Sequence, residues 1–358
     1  SHLRRERVRV VLVGMPEVFR DPAADVFYSL AANGLDPGGF STVRQSVVEA
    51  RRIIAISRRE QCQVMLGMLH YGAIIAGLCR PLSWFRLKTI ASPRTPSVAG
   101  IRFHAAASPR VARLWRTMIW GFCHLASRVL VASAGLKQEC VEVFGAKASR
   151  VRVIPNSVDD GVLELARHNA PRARECASPE APWLIVSAGR LAPEKDIDTL
   201  IQALALLRNR QRVRLEIIGT GPQSSQLAEL AATLGVAEAV DFTGFTPNPL
   251  DRMRQADVVV HTGLFEGFGN SLLEAMASGV PLIATDCDFG PREIVKEGVN
   301  GVLVPVADPQ ALADALESLL LDPKRRLRLA EQGLKDVQNY RAELMANRRD
   351  RVFEARAE

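Results

Sequence analysis

Residues 265–279 read FEGFGNSLLEAMASG, a glycine-rich turn that leads into a helical pattern. Glycine lets a backbone approach a ligand closely, and the start of a helix offers free N–H groups and a partial positive charge to an anion such as phosphate. Glu266 and Glu274 lie on either side of this turn, and their carboxylates suit the hydroxyl groups of a sugar. Ser271 and Glu274 also form the pattern of a capping box, in which Glu274 is only a helix cap.

Strands and helices alternate around this segment. The predicted strands are 183–188, 213–219, 239–243, 257–262, 280–284 and 301–304, and the predicted helices are 196–208, 223–234, 249–255, 270–278, 309–321, 323–338 and 341–356. Such alternation predicts a doubly wound α/β domain with a parallel sheet. Ligands bind these sheets beyond the carboxyl ends of the strands.

The first half of the chain shows a similar but less regular alternation. The predicted strands are 7–13, 62–69, 88–91, 128–133 and 151–154, and the predicted helices are 42–60, 73–79, 108–127 and 134–144. Residues 156–182 change to a composition of Asp, Arg, Ala and Pro with little periodicity. We therefore predict a Rossmann-like N-terminal domain over 1–156, a linker over 157–182, a second Rossmann-like domain over 183–338, and a helix over 339–358 that packs back on the first domain.

Length and composition narrow the class of protein. At 358 residues the chain is long enough for two domains. It has no apolar run of the roughly 18 residues that a membrane span needs and does not open with the pattern of a signal peptide, so we expect a cytoplasmic protein, soluble or peripheral. Its six cysteines are scattered without a C-x-x-C pair, which indicates neither a zinc site nor a disulfide framework.

Positive charge is concentrated in the first half, where residues 1–155 hold 23 Lys and Arg against 9 Asp and Glu. A basic half suits an anionic membrane, an acidic substrate or nucleic acid, or it is simply a solvated basic surface. The predicted helix 108–127 combines large aromatic residues with Arg110, Arg113 and Arg116. It fits an interfacial helix on anionic lipid and, equally, a core-packing helix with arginines on its solvent face.

Residues suited to a nucleotide-sugar follow four predicted strands. Arg190 and Lys195 offer cations to a diphosphate after strand 183–188. The further candidates in these turns are Gly189, Gly219, Gly221 and Phe245. Each of them alone is more often structural, but their position at successive strand ends favours a shared ligand site.

These motifs resemble those of the family-four retaining glycosyltransferases of the GT-B fold, over about residues 128–325. The most specific part is the Glu-x7-Glu pattern of Glu266 and Glu274, followed by the GVPLIATD of residues 279–286. The resemblance implies two Rossmann-like domains that face a cleft. It also implies retention of anomeric configuration without a protein nucleophile, and it requires no metal and no cofactor.

The resemblance assigns a role to each residue of the second domain. Arg190 and Lys195 would neutralise the donor diphosphate, Glu266 would hold the donor sugar, and Glu274 would bind the ribose. The backbone of the turn would cradle the phosphate and sugar. The residues that would contribute to donor binding are Gly189, Gly219, Gly221, Phe245, Gly267, Phe268, Gly269, Asn270, Ser271, Leu272 and Glu274.

The first domain matches this family less well. Its start lacks the usual strand, glycine-rich loop and helix, and Leu3 to Gly14 resembles the second strand of the pattern, so we expect a truncated or replaced segment. His104 and His70 are candidates for the histidine that many relatives carry in this domain. Arg94 follows a strand-end segment similar to the Ser-Glu-Arg-Asn of enzymes that build lipid-linked or surface glycans, although Pro93 replaces the glutamate.

We therefore expect transfer of a sugar from a nucleotide-diphospho-sugar, with UDP as the nucleotide, to a glycan or lipid-linked acceptor in cell-surface polysaccharide or lipopolysaccharide synthesis. The enzyme would lie on the inner face of the cell membrane, held to anionic lipid by its basic first domain, and would not bind nucleic acid. Two alternatives stay open. One is a nucleotide-sugar epimerase or hydrolase of the same fold, and the other is a non-catalytic subunit that binds a nucleotide-sugar.

Overall fold

The computed structural model describes residues 11–14, 26–29, 43–104, 108–168, 170–171, 178 and 181–345. Its contacts divide this part of the chain into two compact units. The first unit contains the described residues up to Val131 and residues 136–154, and the second contains residues 132–135 and the described residues from Pro155 onward. Each unit has its own parallel sheet, which confirms the prediction of two parallel-sheet α/β domains.

Parallel strands organise the first half of the chain. The strands are β1 (Val11–Gly14), β2 (Val26–Ser29), β3 (Val64–Met68), β4 (Lys88–Ser92), β5 (Arg128–Val131) and β6 (Val151–Val153). The helices are α1 (Val43–Arg59), α2 (Leu69–Leu82), α3 (Ser97–His104), α4 (Pro109–Leu125) and α5 (Ala134–Gln138), which is followed by a π-helical turn at Glu139–Val143. Strands β3, β4, β5 and β6 form one sheet in that order, and β1 pairs with β2 separately.

Helix α4 turns its apolar side inward. Ile119 and Phe122 are buried, and Gly77 of α2 allows close contact, since a Cβ atom at that position would lie 2.8 Å from the Cα atom of Phe122. The exposed side carries Arg110, Arg113 and Arg116. The buried Ile119 and Phe122 agree with the core-packing alternative, but Trp120, one turn after Arg116, is 51% exposed, so the interfacial alternative stays a prediction. No helix in the described ranges is long and apolar enough to cross a membrane.

Helix α3 and strand β2 were not predicted. The start of α3 depends on Glu139, whose carboxylate accepts hydrogen bonds of 2.8 Å from the backbone N–H groups of both Ser97 and Val98. This cap comes from more than 40 residues away in sequence, so no local pattern announces it. The predicted absence of an initial strand, glycine-rich loop and helix concerns mainly residues outside the described ranges.

The second unit has a six-stranded parallel sheet. Its strands are β7 (Trp183–Ala188), β8 (Val213–Ile218), β9 (Val240–Gly244), β10 (Val258–His261), β11 (Leu282–Thr285) and β12 (Val302–Val304). Its main helices are α6 (Asp160–His168), α7 (Ile197–Arg208), α8 (Ser224–Thr233), α9 (Leu250–Met253), α10 (Asn270–Ala277), α11 (Pro291–Ile294), α12 (Pro309–Leu320) and α13 (Pro323–Val337). The strand order is β12-β11-β10-β7-β8-β9.

The core of this unit forms between the sheet and its helices. The runs of buried side chains on β7 and β8 face leucines of α7 and α12, for example Leu204 and Leu316, which are fully buried. Arg326 of α13 is also buried, with its guanidinium 4.8 Å from the ring centroid of Trp183 and its Nη1 atom donating to the carbonyls of Leu319 and Leu320. These bonds satisfy carbonyls at the end of α12 that the helix itself leaves without partners.

The interval predicted as a linker contains helix α6. Leu163 and Ala166 are buried on it, and α6 packs against α10 and α13 of the second unit. The periodicity of α6 was missed because it is short and has only a narrow apolar side. The predicted C-terminal helix over 341–356 and its packing on the first domain fall mostly outside the described residues, in which residues 342–345 are helical.

Candidate functional site

The order of strands in the second unit makes the loop after β7 and the loop after β10 run in opposite directions. Strands β7 and β10 are neighbours, but the chain continues from β7 towards one side of the sheet and from β10 towards the other. At such a switch point the loops beyond the carboxyl ends of the strands separate and leave a crevice for a ligand. The loop after β7 carries Arg190 and Lys195, and the loop after β10 carries Glu266. The sheet therefore brings Glu266 close to a loop whose residues Arg190 and Lys195 precede it by at least 71 positions in sequence.

Glu266 is the centre of the polar contacts at this switch point. Its Oε1 atom accepts from the Nζ atom of Lys195 and lies 3.0 Å from the Nε2 atom of His261. Burial favours the neutral carboxyl, but the hydrogen bond to His261 and the charge of Lys195 outweigh it and hold the pKa of Glu266 at about 2. The carboxylate is therefore anionic at neutral pH and fixed in orientation.

Two further hydrogen bonds tie the same loops together. The hydroxyl of Thr262 donates to the carbonyl of Lys195 over 2.8 Å, and the N–H of Leu264 donates to the carbonyl of Glu194 over 2.9 Å. His261 is the last residue of β10 and is 7% exposed. It is the polar residue of a strand whose other residues are valines. His261 was not predicted as a site residue, although a histidine at the end of the run Val258-Val259-Val260 was a visible signal.

Arg190 and Lys195 each have a carboxylate partner. Arg190 is paired with Glu194, whose side chain is mostly buried, whereas two thirds of the side chain of Arg190 is exposed. Lys195 is paired with Glu266 and is more enclosed. The sequence predicted both cations but not their carboxylate partners. In the structure, a diphosphate at these residues would join two existing ion pairs.

The glycines after β8 are required by the neighbouring loop. A Cβ atom on Gly219 would lie 1.9 Å from the carbonyl oxygen of Gly189, and one on Gly221 would lie 2.1 Å from that of Leu191. Gly219 also has a positive φ of 138°. The loops after β7 and β8 thus pack backbone against backbone, joined by a 2.9 Å bond from the N–H of Leu191 to the carbonyl of Thr220.

Helix α10 begins two residues earlier than the capping box requires. Its first residue is Asn270, and it follows Gly269 in the left-handed region at φ 99° without a side-chain cap. The interpretation of Ser271 and Glu274 as a capping box is therefore wrong. The physical reason is that Gly269 can adopt a backbone conformation that turns the chain directly into the helix.

Glu274 lies within the second turn of α10 and is half-buried. Its carboxylate forms no hydrogen bond or ion pair with the described residues, in contrast with Glu266. Burial raises the pKa of Glu274. A partly buried carboxylate without a protein partner is suited to accept hydrogen bonds from a ligand.

The other predicted donor-site residues differ in what they expose. Phe268 and Leu272 are buried, and the ring of Phe268 packs edge-on against Tyr340 with centroids 5.8 Å apart, so only their backbone remains for a ligand. Asn270 is exposed, and its Oδ1 atom accepts from the Nδ2 atom of Asn156 over 2.7 Å. Gly267, in the loop after β10, is buried, and Ser271, in the first turn of α10, is half-buried. Phe245 lies in a different loop, after β9, and is 77% exposed.

In the first unit, His70 belongs to a hydrogen-bonded chain. Its Nε2 atom lies 2.9 Å from the hydroxyl of Ser97, and its Nδ1 atom lies 3.2 Å from the hydroxyl of Thr95. Ser97 is itself held by Glu139, whose carboxylate accepts from the backbone N–H of Ser97 over 2.8 Å. Burial lowers the pKa of His70 to about 4, which keeps the ring neutral.

The other two candidates of the first unit remain predictions. Arg94 is half-buried in the segment after β4, and the side chain of His104 lies outside the described part of the chain. Sequence reasoning did not find Thr95, Ser97 or Glu139, because their association with His70 is set by packing between α3, β4 and the π-helical turn.

Gly219 offers a test of the loop packing. We expect Gly219→Ala to destabilise the protein by roughly 2–4 kcal/mol, because the new Cβ atom meets a carbonyl and the residue keeps a positive φ. Gly189→Ala is the matched control, since its Cβ atom would meet nothing within 4 Å. Urea unfolding measures both changes. Equal stability of the two variants would contradict the proposed contact.

His70 predicts a dependence of stability on pH. Its pKa is about 4 in the folded protein, below the value of about 6.5 expected when unfolded. Between these values the unfolded state binds more protons, so the free energy of unfolding falls as pH falls through this window. We expect the stability of the wild type relative to His70→Gln to decrease from pH 7 to pH 4 in denaturant titrations. His168→Gln, at an exposed histidine, is the control, and a difference between wild type and His70→Gln that is independent of pH would contradict the assignment.

Two family models match the two halves of the chain. The model described as Glycosyltransferase Family 4 matches residues 1–162, and the model described as Glycosyl transferases group 1 matches residues 171–336. Together they include the candidate residues of both units.

Individual relatives match a shorter part. The chain is 35% identical over 225 residues to a D-inositol 3-phosphate glycosyltransferase of Nocardia farcinica, a match that covers 59% of this chain and 48% of that protein. It is 33% identical over 183 residues to the lipopolysaccharide core biosynthesis glycosyltransferase LpsE of Rhizobium meliloti, covering 51% of each. The chain thus spans about half the length of these curated relatives.

A solved structure resembles nearly the whole chain. The crystal structure of Anabaena Alr3699/HepE in complex with UDP and glucose aligns with a TM-score of 0.70 at 19% identity, covering 92% of this chain and 84% of that one. At this level of identity the likeness shows the fold.

Proposed function

We propose a function from the premise that this chain belongs to family 4 of the glycosyltransferases, which have the GT-B fold and whose two domain models match its two halves. The proposed reaction moves a sugar from a nucleotide-diphospho-sugar, with UDP as the nucleotide, to a glycan or lipid-linked acceptor, with retention of anomeric configuration. The product belongs to cell-surface polysaccharide or lipopolysaccharide. The second unit binds the donor.

The observation that carries the proposal is the contrast between the two carboxylates. Glu266 is anionic and held by Lys195 and His261, whereas Glu274 has no partner among the described residues and lies in the second turn of the helix that leaves the same crevice. Because α10 starts at Asn270, Glu274 lies beyond the first turn and not at the N3 position of a capping box, which supports a role towards a ligand. In our proposal Glu274 accepts hydrogen bonds from the ribose hydroxyls.

The remaining roles follow from charge and reach. Lys195 and Arg190 face the negative charge that grows on the departing diphosphate, and a positioned cation stabilises such charge more in the transition state than in the ground state. Glu266 holds hydroxyls of the donor sugar. Because Glu266 is already engaged by two partners, we assign it to positioning and leave the attack to the acceptor hydroxyl, on the face from which the nucleotide departs.

The choice of donor and acceptor is supported by the relatives. Alr3699/HepE was crystallised with UDP and glucose, and LpsE is named for lipopolysaccharide core biosynthesis. The exposed ring of Phe245 at the end of β9 offers a face on which a base can stack. The excess of basic residues in the first half supports a site of action on an anionic membrane surface, on its cytoplasmic side.

Nucleotide binding tests the donor site. We expect UDP and a UDP-sugar to raise the thermal unfolding midpoint, with GDP- and ADP-sugars as the comparison. Glu274→Gln should weaken the binding by tenfold or more, since hydrogen bonds to a charged group contribute about 1.5–3 kcal/mol. Glu229→Gln, on the exposed side of α8, is the matched control. If no nucleotide stabilises the wild type, or if Glu274→Gln binds as the wild type does, the donor-site proposal fails.

Turnover tests the transfer reaction. With UDP-sugar and a lipid-linked glycan extract, we expect Lys195→Ala to lower kcat by roughly a hundredfold while Lys195→Arg keeps part of it, because the lost cation acts on transition-state charge. Lys324→Ala is the surface control. Consumption of UDP-sugar without an acceptor would instead favour an epimerase or hydrolase, and binding without turnover would favour a non-catalytic subunit.

A further inference from the structure

Two aromatic residues stand out on the surface of the first unit. Trp84 is 83% exposed, a larger fraction than for any other large apolar side chain in the described residues, and Phe85 beside it is 63% exposed. Both lie in the turn between α2 and β4, residues 83–87, which we call the aromatic turn. Exposed aromatic residues side by side are unfavourable in water unless a partner covers them.

The backbone of the aromatic turn holds these residues outward. Trp84 and Phe85 have φ angles of 54° and 61°, so two successive bulky residues adopt the left-handed region that glycine normally occupies. The N–H groups of Trp84 and Phe85 donate to carbonyls at the end of α2, over 3.0 and 2.9 Å. Leu87 is buried and anchors the far side of the turn. Strain of this kind persists where the surroundings impose it, and it is common at functional positions.

A third exposed aromatic residue lies at the same edge of the sheet. Trp120 of α4 is 51% exposed and stacks on His124 with ring centroids 4.3 Å apart. The aromatic turn precedes β4 and the end of α4 precedes β5, and these strands are parallel neighbours, so both segments lie where the strands begin. Arg80 joins them, because its Nη1 atom donates to the carbonyl of Leu125 over 3.1 Å and its guanidinium lies 5.1 Å from the centroid of Phe85.

Basic residues lie along the same edge of the sheet as these aromatic side chains. The exposed cations at the edge where the strands begin are Arg58, Arg59, Arg86, Lys88 and Lys147. Among the described residues, the acidic side chains at this edge are Glu60, which pairs with Arg59, and Glu142, which accepts from Gln138. The edge therefore combines apolar rings with an excess of positive charge. It is the edge opposite to the strand ends that lead to His70 and Arg94.

We propose that the aromatic turn, with Trp120 beside it, is the element by which the first unit docks on an anionic lipid bilayer. Tryptophan and phenylalanine enter the interface between headgroups and acyl chains, and the cations along this edge contact anionic headgroups. A second copy of the chain fits this surface less well, because a two-fold contact would oppose the same cations. This inference rests on the proposed function only in that a membrane-associated acceptor gives the docking its purpose.

Vesicle binding tests the docking surface. We expect the wild type to co-sediment with vesicles of phosphatidylglycerol and phosphatidylcholine and to bind pure phosphatidylcholine at least tenfold more weakly. The double variant Trp84→Ala with Phe85→Ala should bind the anionic vesicles at least tenfold more weakly than wild type. The double variant Arg86→Ala with Lys88→Ala should also bind more weakly, and its difference from wild type should shrink as the salt concentration rises, because salt screens the lost charges. The matched controls are Leu321→Ala, at an exposed leucine of the second unit, and Lys324→Ala.

Trp84→Gly separates docking from folding. Glycine adopts the left-handed region without strain, so we expect this variant to raise the thermal unfolding midpoint while it loses vesicle binding. Stabilisation by UDP, measured in the same samples, should be unchanged. The proposal is overturned if the wild type does not bind anionic vesicles, if the aromatic variants bind them as the wild type does, or if those variants change the oligomeric state instead. Vesicle binding without any response to UDP would refute the proposed function and leave the docking surface intact.

Discussion

The ion pair between Lys195 and Glu266 joins the two loops on which the candidate site depends. Each residue follows a different strand, and only the adjacency of β7 and β10 in the sheet brings them within contact. His261 adds a hydrogen bond from the end of β10, so three charged or polar groups share one position at the switch point. The backbone contact between Gly219 and Gly189 places the loop after β8 against the same assembly. A change in strand order would separate all of these groups.

Each cation of this assembly has a carboxylate partner. Arg190 pairs with Glu194 and Lys195 pairs with Glu266, so both cations are oriented by a carboxylate of the same chain. Enclosed ion pairs contribute little to stability once the loss of hydration is counted, and their retention here is better explained by the positions they give to the side chains. Glu274 is the exception, since its carboxylate has no partner in the described part of the chain. Glu266 and Glu274, eight residues apart, thus differ in that the first is held by protein partners and the second is left for a ligand in our proposal.

The two units contain different kinds of candidate residues. The second unit contains the donor-site candidates on the loops of a six-stranded sheet. The first unit contains a neutral histidine held by Thr95 and Ser97 at one end of its sheet and an exposed aromatic turn at the other. Part of its positive charge lies along the same edge as that turn and along α4, a placement that composition could not supply.

The sequence by itself determined the α/β class of both units, the strands that carry Arg190, Lys195 and Glu266, and the family whose motifs they form. These features were predictable because they depend on short runs of buried residues and on turns that glycine marks. The register of α10, the cap of α3 by Glu139, helix α6 and the exposure of Trp84 were not predictable in this way. Each of them results from contacts between residues far apart in the chain or from a backbone conformation that bulky residues rarely adopt. Only the tertiary structure decided that Glu266 has two partners while Glu274 has none among the described residues, because strand adjacency, and not sequence spacing, places partners around a carboxylate.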